Sequence, residues 1–170
     1  MKLSLLRRTH ADYQPEVLQL HDDLFVGGAQ IRERMTTYIP RHDVEPLAIY
    51  RRRVKAATYL NYCAPIVNGF ASALLASPPT VRMADGEDPP EWSLRLKERA
   101  TPRHDLETFA RGQLVEALVH GRAWWRVSAP ERPDALTLAE FEREYEEVEF
   151  CPVPVEHVTH WAQDDDGRFL

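Results

Sequence analysis

Tyr38–Pro79 reads YIPRHDVEPLAIYRRRVKAATYLNYCAPIVNGFASALLASPP. The spacing predicts one long helix with a polar, basic first half and an apolar second half. It ends abruptly at Ser77-Pro78-Pro79. Pro46 suits a first-turn position, where its missing N–H costs nothing. Pro65 falls inside the run and predicts a bend, because proline removes one backbone bond and clashes with the preceding turn. From Pro46 to Ala76, at 1.5 Å per residue, such a helix would span about 45 Å. That shape does not enclose a small pocket. It suits a scaffold element that needs other elements, or other subunits, on its apolar half.

Tyr59, Tyr62, Cys63, Ile66, Phe70 and Leu74 follow the three-and-four spacing of one helical face. The expectation is a core in which Ile66, Phe70 and Leu74 are buried, with Phe109, Leu114 and Leu118 packed nearby. A membrane span is not indicated. The apolar run is interrupted by Asn61, Pro65, Asn68 and Gly69, against the ~20 apolar residues that a span needs. The basic cluster Arg51, Arg52, Arg53 and Lys55 precedes the stripe. Three adjacent arginines point around a helix and do not line one face, so a solvated surface is the plainer reading than a nucleic-acid patch.

Outside this stretch the chain changes period. Pro15–Gly27 reads as a short helix, and Ala29–Thr37 as a second. Glu91–Arg99 has room for one or two turns. Asp105 is a helix N-cap, and Gly121 sits where a left-handed C-terminal residue belongs. Arg122–Val127, Val148–Val153 and Val158–Ala162 read as strands. Thr137–Glu140 has a capping-box pattern that opens an acidic helix to about Glu146. Asp164–Gly167 is a hairpin-turn signal before a last short strand. Trp124 and Trp125, adjacent on a strand, point to opposite faces. The fold class is therefore α+β: a helical N-terminal half (1–37 and 38–121), then a small, mostly antiparallel and incomplete sheet (122–170). One domain, or a fragment of one, accommodates all 170 residues.

Hydrophobic residues make up 44% of the chain, which is a globular composition. A net charge of −6 disfavours general duplex-DNA binding, which rests on neutralising phosphates. The charge is uneven. Residues 1–60 carry ten Lys/Arg and seven Asp/Glu, and residues 134–170 carry two and eleven. Such asymmetry fits head-to-tail subunit contacts, and equally fits solubility alone. Cys63 and Cys151 form no CxxC pair, and no secretory signal is visible. They read as reduced core residues of a cytoplasmic protein.

Motifs for chemistry are sparse. His157 and His160 are the only close histidines, and on a strand a three-residue spacing puts them on opposite faces, with Glu156 beside them and no third ligand evident. The acids of Asp164-Asp165-Asp166-Gly167 are adjacent, whereas a calcium loop spaces them at alternate positions. Ser72, Ser77 and Ser128 lie in no nucleophile motif, and Gly27-Gly28 is too little for a phosphate loop. Nothing assembles a nucleophile, a base and an orienter. The residues support a non-enzymatic domain without cofactor or metal.

The order of these pieces resembles the N-terminal part of tailed-phage portal proteins, in particular a portal-like group long carried as a domain of unknown function. The resemblance rests on Tyr38-Ile-Pro40, then Tyr50-x-x-Arg53-x-x-x-Ala57-x-Tyr59-x-Asn61, the apolar run with Gly69, and the exit Ser77-Pro78-Pro79. It continues through Asp105 and Phe109, Gly121-Arg122, and Val158-Thr-His-Trp161 before the Asp-Gly turn. It implies a structural subunit of the wing of a dodecameric ring at one capsid vertex, without catalysis of its own. By the same resemblance its partners are further copies of itself, terminase, capsid and adaptor proteins, and double-stranded DNA that passes through the ring without sequence-specific contacts. The location would be the virion, and the host cytoplasm during assembly. The alternative is a stand-alone phage or prophage interaction module that forms no ring. Both a fragment of a longer portal and a short remnant fit the length. Candidate interface residues are Arg51, Arg52, Arg53 and Lys55 on one side of a contact, and Glu140, Glu142, Glu146 and Glu147 on the other.

Overall fold

The computed structural model describes residues 9–80, 91–128, 137 and 149–162. Seven helices and a two-stranded antiparallel sheet occupy these residues. Helix α1 (Pro15–Val26) starts with proline at its first position and ends at Gly27 with φ 65°. A side chain at Gly27 would be strained twice. The positive φ disfavours it, and a Cβ there would lie 2.8 Å from Asn61 Nδ2. The expected second helix is two: α2 (Gly28–Glu33) and α3 (Met35–Tyr38), broken at Arg34.

The long kinked helix expected from Pro46 to Ala76 does not form. Helix α4 (Leu47–Ala56) and helix α5 (Cys63–Leu74) are separate, joined by residues 57–62. The reason lies in the last turn of α1, whose carbonyls have no partner within the helix. Tyr59 donates its hydroxyl to Leu24 O at 2.7 Å, and Asn61 donates Nδ2 to Phe25 O at 2.8 Å. The same Asn61 accepts the Ala64 N–H through Oδ1 at 3.0 Å, which caps α5. A helix running through this segment could not make all three bonds. Pro65 then falls in the first turn of α5, where it bends nothing. Pro46 stands just before α4, with its carbonyl accepting from Ile49 and Tyr50.

Helix α5 has two apolar stripes, and the structure buries the smaller one. Ala71 is fully buried, and Ala64, Val67 and Leu75 are half-buried towards α1 and α7. Small side chains let the helices approach closely. Ile66, Phe70 and Leu74, expected in the core, are exposed, and so is Leu118. Phe109 is buried as expected, stacked on Phe150 with ring centroids 5.1 Å apart and edge-on to Trp125 at 6.2 Å. Leu114 is half-buried.

Helix α6 (Glu91–Glu98) packs on α7 (Leu106–His120). Asp105 caps α7 by accepting the Thr108 N–H at 2.7 Å, and Gly121 closes it with φ 75°. Strand β1 (Trp124–Ser128) pairs with β2 (Glu149–Val153), with Arg126 opposite Cys151. The Phe150 N–H donates to Ala100 O at 2.7 Å and ties β2 to the α6–α7 turn.

Val158–Ala162, expected as a third strand, is not one. A 3₁₀ turn (Val155–His157) with buried Val155 turns the chain away from the sheet edge. The segment meets the N-terminal loop instead. His10 N donates to Thr159 O at 2.8 Å, and Tyr13 donates its hydroxyl to Glu156 O at 2.9 Å. Trp161 stacks on His10 at 4.0 Å, with the Arg122 guanidinium 4.3 Å from its ring centre. Trp124 also meets Trp161, and Trp125 on the other face is half exposed. The acidic helix and the Asp164–Gly167 turn lie outside the described residues. Among the described residues, no helix is long and apolar enough to cross a membrane.

Candidate functional site

The feature that packing leaves unexplained is helix α4 together with the outer face of α5, whose inner face packs on α1 and α7. Helix α4 buries no residue, and Leu47 and Ile49 on it are exposed. A ten-residue helix is short of the ~12–15 residues at which an isolated helix becomes even marginal in water. What holds it locally is a clamp. Arg53 donates Nε to Glu45 Oε1 at 3.0 Å and Nη2 to Glu45 Oε2 at 2.8 Å, and Nη2 also reaches Pro40 O at 2.9 Å. Arg41 Nε holds Glu45 O at 2.8 Å. The Arg53 hydrogen bonds, the largest influence on it, hold the Glu45 carboxyl below the usual range.

On α5 the outer stripe is Tyr62, Ile66, Phe70 and Leu74, exposed by 68, 57, 61 and 63%. A helix that is apolar all round belongs inside a structure. Here one side is inside, and the other side faces outward with the larger residues. Fully burying a side chain of this size is worth about 1.5–3 kcal/mol, so four together are a substantial binding resource.

Of the residues expected at a subunit interface, Arg51, Arg52 and Lys55 are exposed on α4. Arg53 belongs to the Glu45 clamp and is not free for a partner. Glu140, Glu142, Glu146 and Glu147 lie outside the described residues.

Two polar clusters escaped the sequence reading. In the first, fully buried Asp23 accepts from Gln19 Nε2 (3.2 Å), Gln30 Nε2 (2.7 Å), Arg34 Nη1 (3.1 Å) and the Tyr38 hydroxyl. Burial alone pushes its carboxyl up, but the bonds from Tyr38, Gln30 and Arg34 and the Arg34 charge outweigh it and leave it below the ordinary value. The Tyr38 hydroxyl is pushed up by burial and by Asp23. This knot fastens α1, α2 and α3. Its one signal in the sequence is the short Gly27-Gly28 reversal, which brings Arg34 and Tyr38 back towards the last turn of α1.

In the second cluster, buried His120 lies between Asp22 Oδ1 (3.0 Å from Nε2) and Glu116 Oε1 (3.3 Å from Nδ1). Burial pushes the Glu116 carboxyl up, His120 opposes this, and Asp22 and Glu156 add to it. A cleft of about 420 Å³ opens beside Asp22, Glu116 and Glu156. Among the described residues that line it there is no serine, threonine, cysteine or lysine. His157 and His160 are exposed, and among the described residues no group of three or more His, Cys, Asp or Glu is placed to hold a metal. No family model matches this chain, and no curated protein matches it.

Proposed function

We propose that the chain is a structural assembly subunit of the phage-portal type, contributing to the outer wing of a ring at a capsid vertex for DNA packaging and tail attachment, with no chemistry of its own. The observation that carries this reading is the outward-facing Tyr62–Ile66–Phe70–Leu74 stripe on α5, which follows in the chain a helix, α4, that buries no residue. Large apolar side chains set outward in this way mark a surface that another chain covers. The ordered motifs from Tyr38 to Gly167 supply the portal part of the reading. The uneven charge supports contacts between unlike surfaces of neighbouring subunits.

The division of the expected long helix at residues 57–62 favours a second reading, a stand-alone interaction module of phage or prophage origin that forms no ring. Negative-stain electron microscopy of the purified chain, together with any polypeptide continuous with it in the reading frame, separates the two. Closed rings with an axial opening are the expected result. Monomers or open chains of irregular length overturn the portal reading.

A further inference from the structure

His120 ends α7 with a side chain only 3% exposed, held between carboxylates from two helices. Its Nε2 lies 3.0 Å from Asp22 Oδ1 on α1, and its Nδ1 lies 3.3 Å from Glu116 Oε1 on α7 itself. Nδ1 makes no hydrogen bond of regular geometry, so what joins it to Glu116 is electrostatic. A neutral imidazole has a single N–H, and an ionised Asp22 can only accept it, through Nε2. Nδ1 then turns a bare lone pair towards the Glu116 oxygen. Two buried acceptors that close repel, and a proton on either one makes the contact attractive. The surroundings add negative charge. The adjoining cleft is lined by Asp22, Glu116 and Glu156, with no lysine, arginine or histidine among the described residues that line it. His21 on α1 lies 6.3 Å away, ring centre to ring centre, with its own Nδ1 buried and unpartnered among the described residues. Arg122 is turned to Asp12 O and the Trp161 ring, and His157 on the 3₁₀ turn is exposed. Helix α5 has no titratable group but Cys63, and α6, with Glu91, Arg95, Lys97 and Glu98, is joined to the opposite end of α7. Arg126, Glu149 and Cys151 on the strands do not line the cleft.

We propose that His120 and Glu116 share one proton that bolts α1 to α7 and to the 3₁₀ turn, and that its loss as pH rises loosens the N-terminal loop and residues 155–161 together. With the proton in place, one positive charge or one extra hydrogen-bond donor stands among the three carboxylates. Without it, three carboxylates and a ring lone pair surround one cleft of about 420 Å³. The pair titrates as a unit, so the proton belongs to the pair and not to either residue. The folded cluster holds it more tightly than the separated side chains of an unfolded chain do. Its contribution is therefore present at low pH and lost as pH rises through the titration of the folded pair. The upward push on the Glu116 carboxyl has the same sign. Glu156 carries the effect outward. Its carboxylate lines the cleft, and its carbonyl accepts the Tyr13 hydroxyl at 2.9 Å, beside the His10 N–H bond to Thr159 O at 2.8 Å. The device acts within one chain and does not depend on the assembly reading.

Hydrogen–deuterium exchange of the full chain between about pH 5.5 and about pH 8.5, corrected for the intrinsic pH dependence of amide exchange, tests this. Peptides covering residues 9–14 and 155–161 should lose protection about tenfold or more towards the higher pH, while residues 28–38 should not. Glu116→Gln, whose amide can donate to Nδ1 at any pH, should abolish the step and keep protection high throughout. Glu156→Gln, at an exposed position, should move the step to lower pH, because it removes a charge that favours the proton. In NMR titrations, the His120 ring and the Glu116 carboxyl should report one common midpoint. A wild type without the step overturns the proposal, and so do separate midpoints for the two groups. A step that is unchanged in Glu116→Gln, or low protection of that variant at both ends of the range, shows a merely structural contact and overturns it as well. Should Glu116→Gln fail to fold by circular dichroism, Glu156→Gln decides: an unmoved midpoint there overturns the proposal.

Discussion

Asp23 is where one residue controls most of the local structure. Each of its four partner side chains donates to it, so both carboxylate oxygens must accept. Asp23→Asn replaces one acceptor with an NH₂ group that faces other donors, and it leaves Arg34 without its counter-charge. The expected loss is about 3 kcal/mol in urea unfolding at neutral pH. Because folding depresses this pKa, the wild-type contribution is present above about pH 4 and is lost as pH falls through the folded-state value. The difference between wild type and Asp23→Asn should therefore shrink on acidification. A difference that stays constant from neutral pH to pH 3 would show that the carboxylate charge is not what holds the knot. Nothing in the spacing of Gln19, Asp23, Gln30, Arg34 and Tyr38 announces this cluster. It depends on how sharply Gly27 and Gly28 reverse the chain.

At the scale of elements, α5 and α7 make the clearest contrast. Both were legible as helices, and the caps of α7 follow from local chemistry, Asp105 at one end and Gly121 at the other. Which stripe of α5 faces inward was not legible. Periodicity identifies an apolar face but cannot rank two apolar faces on one helix, and the closer approach allowed by Ala64 and Ala71 decided for the small residues. Phe109→Ala should accordingly cost about 3–5 kcal/mol, the price of removing a buried aromatic ring. Phe70→Ala in the unassociated chain should cost less than about 1 kcal/mol, as at other exposed positions. Denaturant melts at low protein concentration compare the two directly. Equal losses would place Phe70 in a core and remove the basis for the outer face of α5 as a docking surface.

In the whole molecule, the N-terminal loop, α1, α7 and the segment after β2 come together around His10, Tyr13, His120, Glu156 and Trp161. Glu116 lies at this junction, and its raised pKa means that folding favours its protonated form. The sign is opposite to that of Asp23: the junction gives up stability as pH rises through the folded-state value of Glu116. Glu116→Gln should raise the melting temperature at pH 7–8, and the gain should vanish near pH 4, where Glu116 is itself protonated. A lower melting temperature for Glu116→Gln at pH 8 would mean that attraction to His120 outweighs the cost of burying the charge.

The sequence by itself determined the mixed α+β class, the bounds of α1, α6 and α7 to within a residue or two, and the antiparallel character of the sheet. These follow from proline, glycine and N-cap chemistry and from the change of hydrophobic period, all of which act over a few neighbouring residues. Tertiary structure alone decided three things. It broke the long helix, because the unpaired carbonyls at the end of α1 recruited Tyr59 and Asn61 from about 35 residues away. It turned Val158–Ala162 towards the N-terminal loop, because Trp161 found His10, Trp124 and Arg122. It set the larger apolar stripe of α5 outward, because helices pack most closely through their smallest side chains, and no local pattern records which neighbour will arrive.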